Sequence, residues 1–313
     1  MTPALLLAGH GSADPAGAAA FATLGKRVAT LLADRDIDVA GGFIELSDPP
    51  LSAAVDALAA RGHRHVVTVP VVLAAAGHAK GDIPAALAAQ RARHPGLSFA
   101  YGRPLGPHPV LLSLLADRIS AALHHRHPHA PGTTGTESPQ DLAVLLVGRG
   151  STDPDANAET CKITRLLWET HQTGQQRFAL AETAFVSLAR PGVAEGMERC
   201  RSLGARRIVV ARYFLFPGVL PDRVCAQASA YGAARDELDV RCADVLGSCD
   251  EIAGLIAQRY GEALAGDIRM NCDMCVYRAA LPGFEHRVGA PQRPHYHPAE
   301  GPDVASATHS HVC

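Results

Sequence analysis

Three side chains in the first third of the chain have types and positions that suit chemistry: His10, Glu45 and His78. "LLLAGHGS", Leu5 to Ser12, puts His10 just past an apolar run that ends in glycine. "FIEL" puts Glu45 at the end of a second such run, and "VPVVLAAAGHAKGDIP" puts His78 in the loop after a third. Short apolar runs bounded by glycine read as buried parallel strands. In an open parallel sheet, ligands bind beyond the C-terminal ends of the strands, so all three groups project from one edge. Two imidazoles and a carboxylate form a ligand set for a divalent first-row metal such as cobalt, iron, nickel or zinc. The same groups accept protons near neutral pH.

The frame occurs twice and the ligands once. "LLVGRGS", Leu145 to Ser151, repeats the first loop with Arg149 in place of His10. The repeat then runs without a gap from the second strand to the third helix, which sets Ser187 against Glu45 and Leu220 against His78. Independent structural histidines have no reason to disappear as a set, whereas a duplicated site that lost its function does. The glycines persist because the turn must still be made. Ser12 is placed to cap the following helix or to hydrogen-bond a ligand. A phosphate loop is a poor reading, since the third glycine and the P-loop lysine are missing.

The elements that position these residues alternate strand and helix, which implies a parallel sheet covered by helices on both faces. Strands are expected at Ala4–Ala8, Val39–Leu46, His65–Leu73 and in "LSFAYG", with helices between them and a closing helix in "PVLLSLLADRISAALHH". The expected fold class is therefore α/β, with two duplicated lobes, each a parallel sheet flanked by helices, and a cleft between them. The N-terminal lobe, 1–126, carries the metal set. A linker rich in Pro, Gly, Ser and Thr follows at 127–140. The second lobe, 141–265, ends in its own closing helix from about Glu251 to Leu264. An irregular tail occupies 266–313.

The 313 residues are 47% hydrophobic and 19% charged, a globular composition with ample core. The net charge of -2 argues against a nucleic-acid footprint. No run has the ~20 apolar residues of a membrane span, and no secretory signal is evident, so a cytoplasmic protein with no membrane partner is expected. Eight cysteines in a chain of this length do not suggest a disulfide scaffold. The close pair Cys272 and Cys275 reads first as metal-binding or redox-active.

With His10, Glu45 and His78 in this order, the chain resembles the small class II tetrapyrrole chelatases, the sirohydrochlorin cobaltochelatase and ferrochelatase group. The resemblance spans both lobes. It implies a lyase that inserts Co²⁺, or alternatively Fe²⁺, into sirohydrochlorin for cobalamin or siroheme synthesis. It implies catalytic and metal-binding roles for His10, Glu45 and His78, and a cleft that takes the flat ring. Sirohydrochlorin bears many carboxylates, so Arg149 is expected as a carboxylate clamp, with Ser12 as a further substrate contact. "MNCDMCVYR" resembles an element of the longer cobaltochelatases associated with an iron–sulfur cluster, for which Cys272 and Cys275 supply two thiolates of the usual four. Zinc, a redox dithiol or no metal are the other readings of that pair. His286, His295, His297, His309 and His311 in the tail, and "HHRHPH" at His124–His129, suit loose capture of Co²⁺ or Ni²⁺. A cobalt- or nickel-binding metallochaperone or storage protein is the rival class. Either a monomer or a homodimer fits, because two lobes in one chain already form a cleft.

Overall fold

A computed structural model describes residues 2–124, 139–170, 177–268, 277–278, 280 and 285–290. The first half runs β1 (Ala4–Gly9), α1 (Pro15–Leu32), β2 (Val39–Phe43), α2 (Leu51–Ala60), β3 (His65–Pro70), α3 (Ile83–Arg93), β4 (Ser98–Tyr101) and α4 (Pro109–His124). The second half repeats it as β5 (Leu142–Gly148), α5 (Pro154–Thr170), β6 (Leu180–Phe185), α6 (Val193–Ser202), β7 (Arg207–Arg212), α7 (Val219–Ala233), β8 (Asp239–Cys242) and α8 (Asp250–Leu264). Each half forms a four-stranded parallel sheet, ordered β2-β1-β3-β4 and β6-β5-β7-β8. The direction of strand addition reverses beside β1 and beside β5. This reversal is where a doubly wound sheet opens a crevice at its C-terminal edge.

The central strands are apolar throughout because both of their faces are covered. All six residues of β1 are buried. Leu5 and Leu7 face one core, whereas Ala4, Leu6 and Ala8 face another, as the period of two requires. In β5 the same alternation sends Val144 and Leu146 to the first core and Ala143, Leu145 and Val147 outward. That first core is common to both lobes. α2 and α3 cover the outer face of the first sheet, α6 and α7 that of the second, and α1, α4, α5 and α8 lie between the sheets.

The closing helices do not close their own lobes. α4 packs on β7, β8 and α5 of the second lobe, and α8 packs along α1 and across β3 and β4 of the first. Arginines fasten the exchange. Arg259 of α8, with no exposed surface, donates to the carbonyls of Pro104 and Leu105 at 2.9 and 2.8 Å. Arg118 of α4 donates to the carbonyls of Val245 and Leu246 at 3.1 and 2.9 Å.

Three local expectations change. The strand expected over His65–Leu73 ends at Pro70. The strand expected over Val39–Leu46 ends at Phe43, because the Phe43 N–H donates to Pro49 O at 3.0 Å and the chain turns back on itself. The loop expected after β3 ends in a π-helical turn, His78–Asp82, that feeds directly into α3. The described residues hold one disulfide, Cys225–Cys242, joining α7 to β8. No helix among the described residues is long and apolar enough to cross a membrane.

Candidate metal centre

Each member of the trio sits one step beyond a strand. His10 follows β1, Glu45 lies in the turn after β2, and His78 opens the π-helical turn after β3. Backbone bonds prolong the sheet into the loops: Glu45 N–H donates to His10 O at 3.1 Å and Ile44 N–H to Gly9 O at 3.0 Å. So close an approach admits no side chain at residue 11. Gly11 has φ +104°, and a Cβ there would stand 1.7 Å from Glu45 O. The repeat has the same demand: Gly150 has φ +85°, and its Cβ would stand 1.9 Å from Ser187 O. This is why the glycine frame survives in a lobe that has lost the ligands.

The three side chains converge. One ligand atom from each of His10, Glu45 and His78 lies within 4.8 Å of the others. His10 Nε2 is 2.7 Å from Glu45 Oε1, and the two imidazole rings meet edge to face with centroids 4.1 Å apart. The remaining ring nitrogens are engaged elsewhere. His10 Nδ1 is 3.0 Å from Gly11 O, and His78 Nδ1 is 2.7 Å from Asp82 Oδ2. If Nδ1–H donates in both rings, each Nε2 can offer its lone pair to a cation at the common centre. His78 is buried, and His10 and Glu45 are half-buried.

Arg149 comes from the other lobe and joins the same site. Its Nη1 lies 3.4 Å from His78 Nε2. Burial pushes its pKa below the ordinary arginine value, and the Glu45 charge acts the other way. Ser12 is tied into the loop: its N–H donates to Ser47 Oγ at 2.9 Å, and its own Oγ accepts from Asp14 N–H at 3.1 Å. Asp14, not Ser12, caps α1, by accepting from Ala16 N–H at 2.9 Å. Sequence reasoning missed Asp82. Its signals were the i, i+4 spacing from His78 and the apolar Val224 at the matching place in the repeat.

The family model CbiX matches residues 4–122 and again 143–263. The chain belongs to the CbiX family. A sirohydrochlorin cobaltochelatase of Priestia megaterium is 35% identical over 284 residues, which is 90% of this chain and 86% of the relative. A sirohydrochlorin ferrochelatase of the same organism is 27% identical over 217 residues, 69% of this chain and 74% of the relative. Among solved structures, SirB from Bacillus subtilis with Fe³⁺ superposes with a TM-score of 0.67 at 24% identity, over 85% of this chain and 97% of that one. At that identity the likeness is one of fold, and it covers both lobes.

Cys272, Cys275, His295, His297, His309, His311 and most of "HHRHPH" lie outside the described residues. Among the described residues, the trio is the one group of three or more His, Cys, Asp or Glu side chains arranged to share an ion.

Proposed function

We propose that the chain is a sirohydrochlorin chelatase that inserts Co²⁺, with Fe²⁺ as the alternative cargo, for cobalamin or siroheme biosynthesis. The observation that carries the proposal is the meeting of His10, Glu45 and His78 at the C-terminal edge of the first sheet, beside Arg149 of the second lobe. The 35% identity to a sirohydrochlorin cobaltochelatase over most of both chains supports the same reading and the preference for cobalt. Insertion replaces two pyrrole N–H protons by one divalent cation, so the site must deliver a stripped metal ion and take up two protons. His10 and His78 present Nε2 to the cation, and Glu45 completes the set. Once the cation moves into the ring, the same three groups are free to receive the protons. The Arg149 guanidinium beside His78 opposes tight retention of a cation, which suits a metal that has to leave. Arg149 also offers a fork of donors to a ring carboxylate, and Ser12, in a loop fixed by Ser47, is the further substrate contact.

The proposal extends to Cys272 and Cys275 as two thiolates of an iron–sulfur cluster. A cluster usually needs four. Of the other cysteines, Cys225 and Cys242 are paired and Cys200 is buried in the core, so Cys249, Cys313 or a second chain would supply the rest. The chemistry above uses no cluster.

The test is an anaerobic absorbance assay of sirohydrochlorin offered Co²⁺, Fe²⁺ or Ni²⁺. Acceleration by the protein is expected, fastest with Co²⁺. Arg149→Ala is expected to raise the tetrapyrrole KM about tenfold, the cost of one charge-assisted hydrogen bond. Metal binding without acceleration would assign the chain to cobalt or nickel storage instead. An unchanged KM would remove the clamp.

A further inference from the structure

The turn that carries His78 belongs to the first lobe, but the groups that hold it belong to the second. Lys80, two residues after His78, is buried at the lobe interface. Its Nζ lies 2.7 Å from Asp153 Oδ2 and 3.0 Å from Asp155 Oδ2, and the three side chains are 6%, 5% and 4% exposed. Both aspartates lie at the start of α5, and the Asp153 carboxylate also accepts from its first turn. Asp153 N–H donates to Ser151 Oγ at 3.0 Å, and Asp155 N–H donates to Asp153 Oδ1 at 3.1 Å. One turn further along α5, Glu159 Oε2 accepts from Ala75 N–H at 3.2 Å. The segment from Ala75 to Lys80, with His78 inside it, is therefore held at both ends by α5.

Stability alone is a weak reason for such an arrangement. Three buried charges carry a large desolvation penalty, and apolar groups of equal volume often do as well or better. The duplicated interface makes the point within the same molecule. There the loop after β7 docks on the start of α1, and Asp222 occupies the place of Lys80. The Asp222 side chain is 72% exposed, and Arg212 Nη1 is 3.8 Å from it. Opposite it, Asp14 and Ala16 stand where Asp153 and Asp155 stand in the other copy. Contact there is made by small groups, with Pro217 O 3.1 Å from where a Cβ on Gly17 would lie. At this matching contact the loop is docked with Asp222 exposed, whereas the contact that bears His78 has a buried ionic cluster.

We infer that Lys80 is a positioning residue for the metal centre. Gripped by Asp153 and Asp155, it ties the His78 turn to the lobe without ligands and so sets where His78 Nε2 stands relative to His10 and Glu45. The second lobe is then a part of the metal site although it donates no ligand. This inference rests on the reading of His78 as a metal ligand.

The test uses the full chain with Lys80→Met, Lys80→Arg and, as a control, His78→Ala. Three quantities are read: the KM for Co²⁺, the KM for sirohydrochlorin, and the visible spectrum of Co²⁺ bound without tetrapyrrole. Loss of a group that orients a ligand typically weakens a metal site tenfold or more. Lys80→Met is expected to raise the Co²⁺ KM about tenfold and shift the Co²⁺ spectrum, with the sirohydrochlorin KM unchanged. Lys80→Arg, which keeps the ionic tie, is expected to restore the Co²⁺ KM to within about threefold. A folded Lys80→Met protein with wild-type Co²⁺ KM and spectrum would overturn the inference. Should Lys80→Met fail to fold, the triple variant with Asp153→Asn and Asp155→Asn leaves no charge alone and is read in the same way. If His78→Ala binds Co²⁺ with the wild-type spectrum, the ligand assignment falls, and the positioning role with it.

Discussion

Glu159 is half-buried where α5 meets the loop before His78, and this desolvation moves its carboxyl pKa up to about 7 from 4.5. The Ala75 N–H, Lys80 and Lys162 work against that shift, Asp155 adds to it, and the buried Tyr213 hydroxyl lies in the same region. The sign follows from linkage. The folded protein holds this proton more tightly than the unfolded chain, so the associated stability is complete below about pH 4.5 and is lost as pH rises through 7. Glu159→Gln keeps an acceptor for Ala75 and never ionises. Its stability relative to wild type is expected to improve by about 2 kcal/mol between pH 5 and pH 8, measured by urea unfolding at both values. A pH-independent difference would mean that this carboxylate is not desolvated as described. The same residue scale shows what sequence can carry. His10, Glu45 and His78 were legible because each follows a strand, and strand ends can be read from apolar runs. Asp82 and Lys80 were not, since their roles depend on a π-helical turn and on which helix of the other lobe lies opposite.

At the scale of elements, the exchange of α4 and α8 was also hidden. Helical periodicity says which face of a helix is apolar and nothing about which sheet that face will cover. The buried residues of α4, including Leu111, Leu115 and Ile119, would suit either sheet, and they join the core shared by both. What fixes the choice is polar. Arg259 satisfies two carbonyls of the β4–α4 connection from α8 and is paired with Glu262, which also holds Arg103 at 2.8 Å. Arg259→Met fills the volume but leaves those carbonyls and part of the Glu262 charge unserved. A loss on the order of 3 kcal/mol is expected, read as a fall of several degrees in Tm. A Tm within one degree of wild type would show that the exchange is held by apolar packing alone.

The described residues pack two sheets around a shared core. Each lobe lends its last helix to the other, and one core runs through both. The division expected at 127–140 from the change of composition does not separate two independent cores among the described residues. Residues 1–126 produced alone are expected to give no cooperatively melting monomer, as judged by size-exclusion chromatography and thermal unfolding. A stable folded monomer would contradict that view. The duplication itself was legible, and so was the loss of ligands from the second copy. Arg149 was expected at the site from the sequence and stands beside His78, but nothing in the sequence showed that the same copy grips the turn that carries His78. The central claim is that one metal centre, built by His10, Glu45 and His78, performs insertion for the whole chain. The most direct measurement is the initial rate of Co²⁺ insertion into sirohydrochlorin by wild type, His10→Ala and His78→Ala, each shown to be folded and to bind the tetrapyrrole. The account predicts that both variants fall at least about a hundredfold, within the range for removal of a group that acts on the reacting centre. Either variant retaining most of the wild-type rate would contradict it and place the chemistry elsewhere in the cleft.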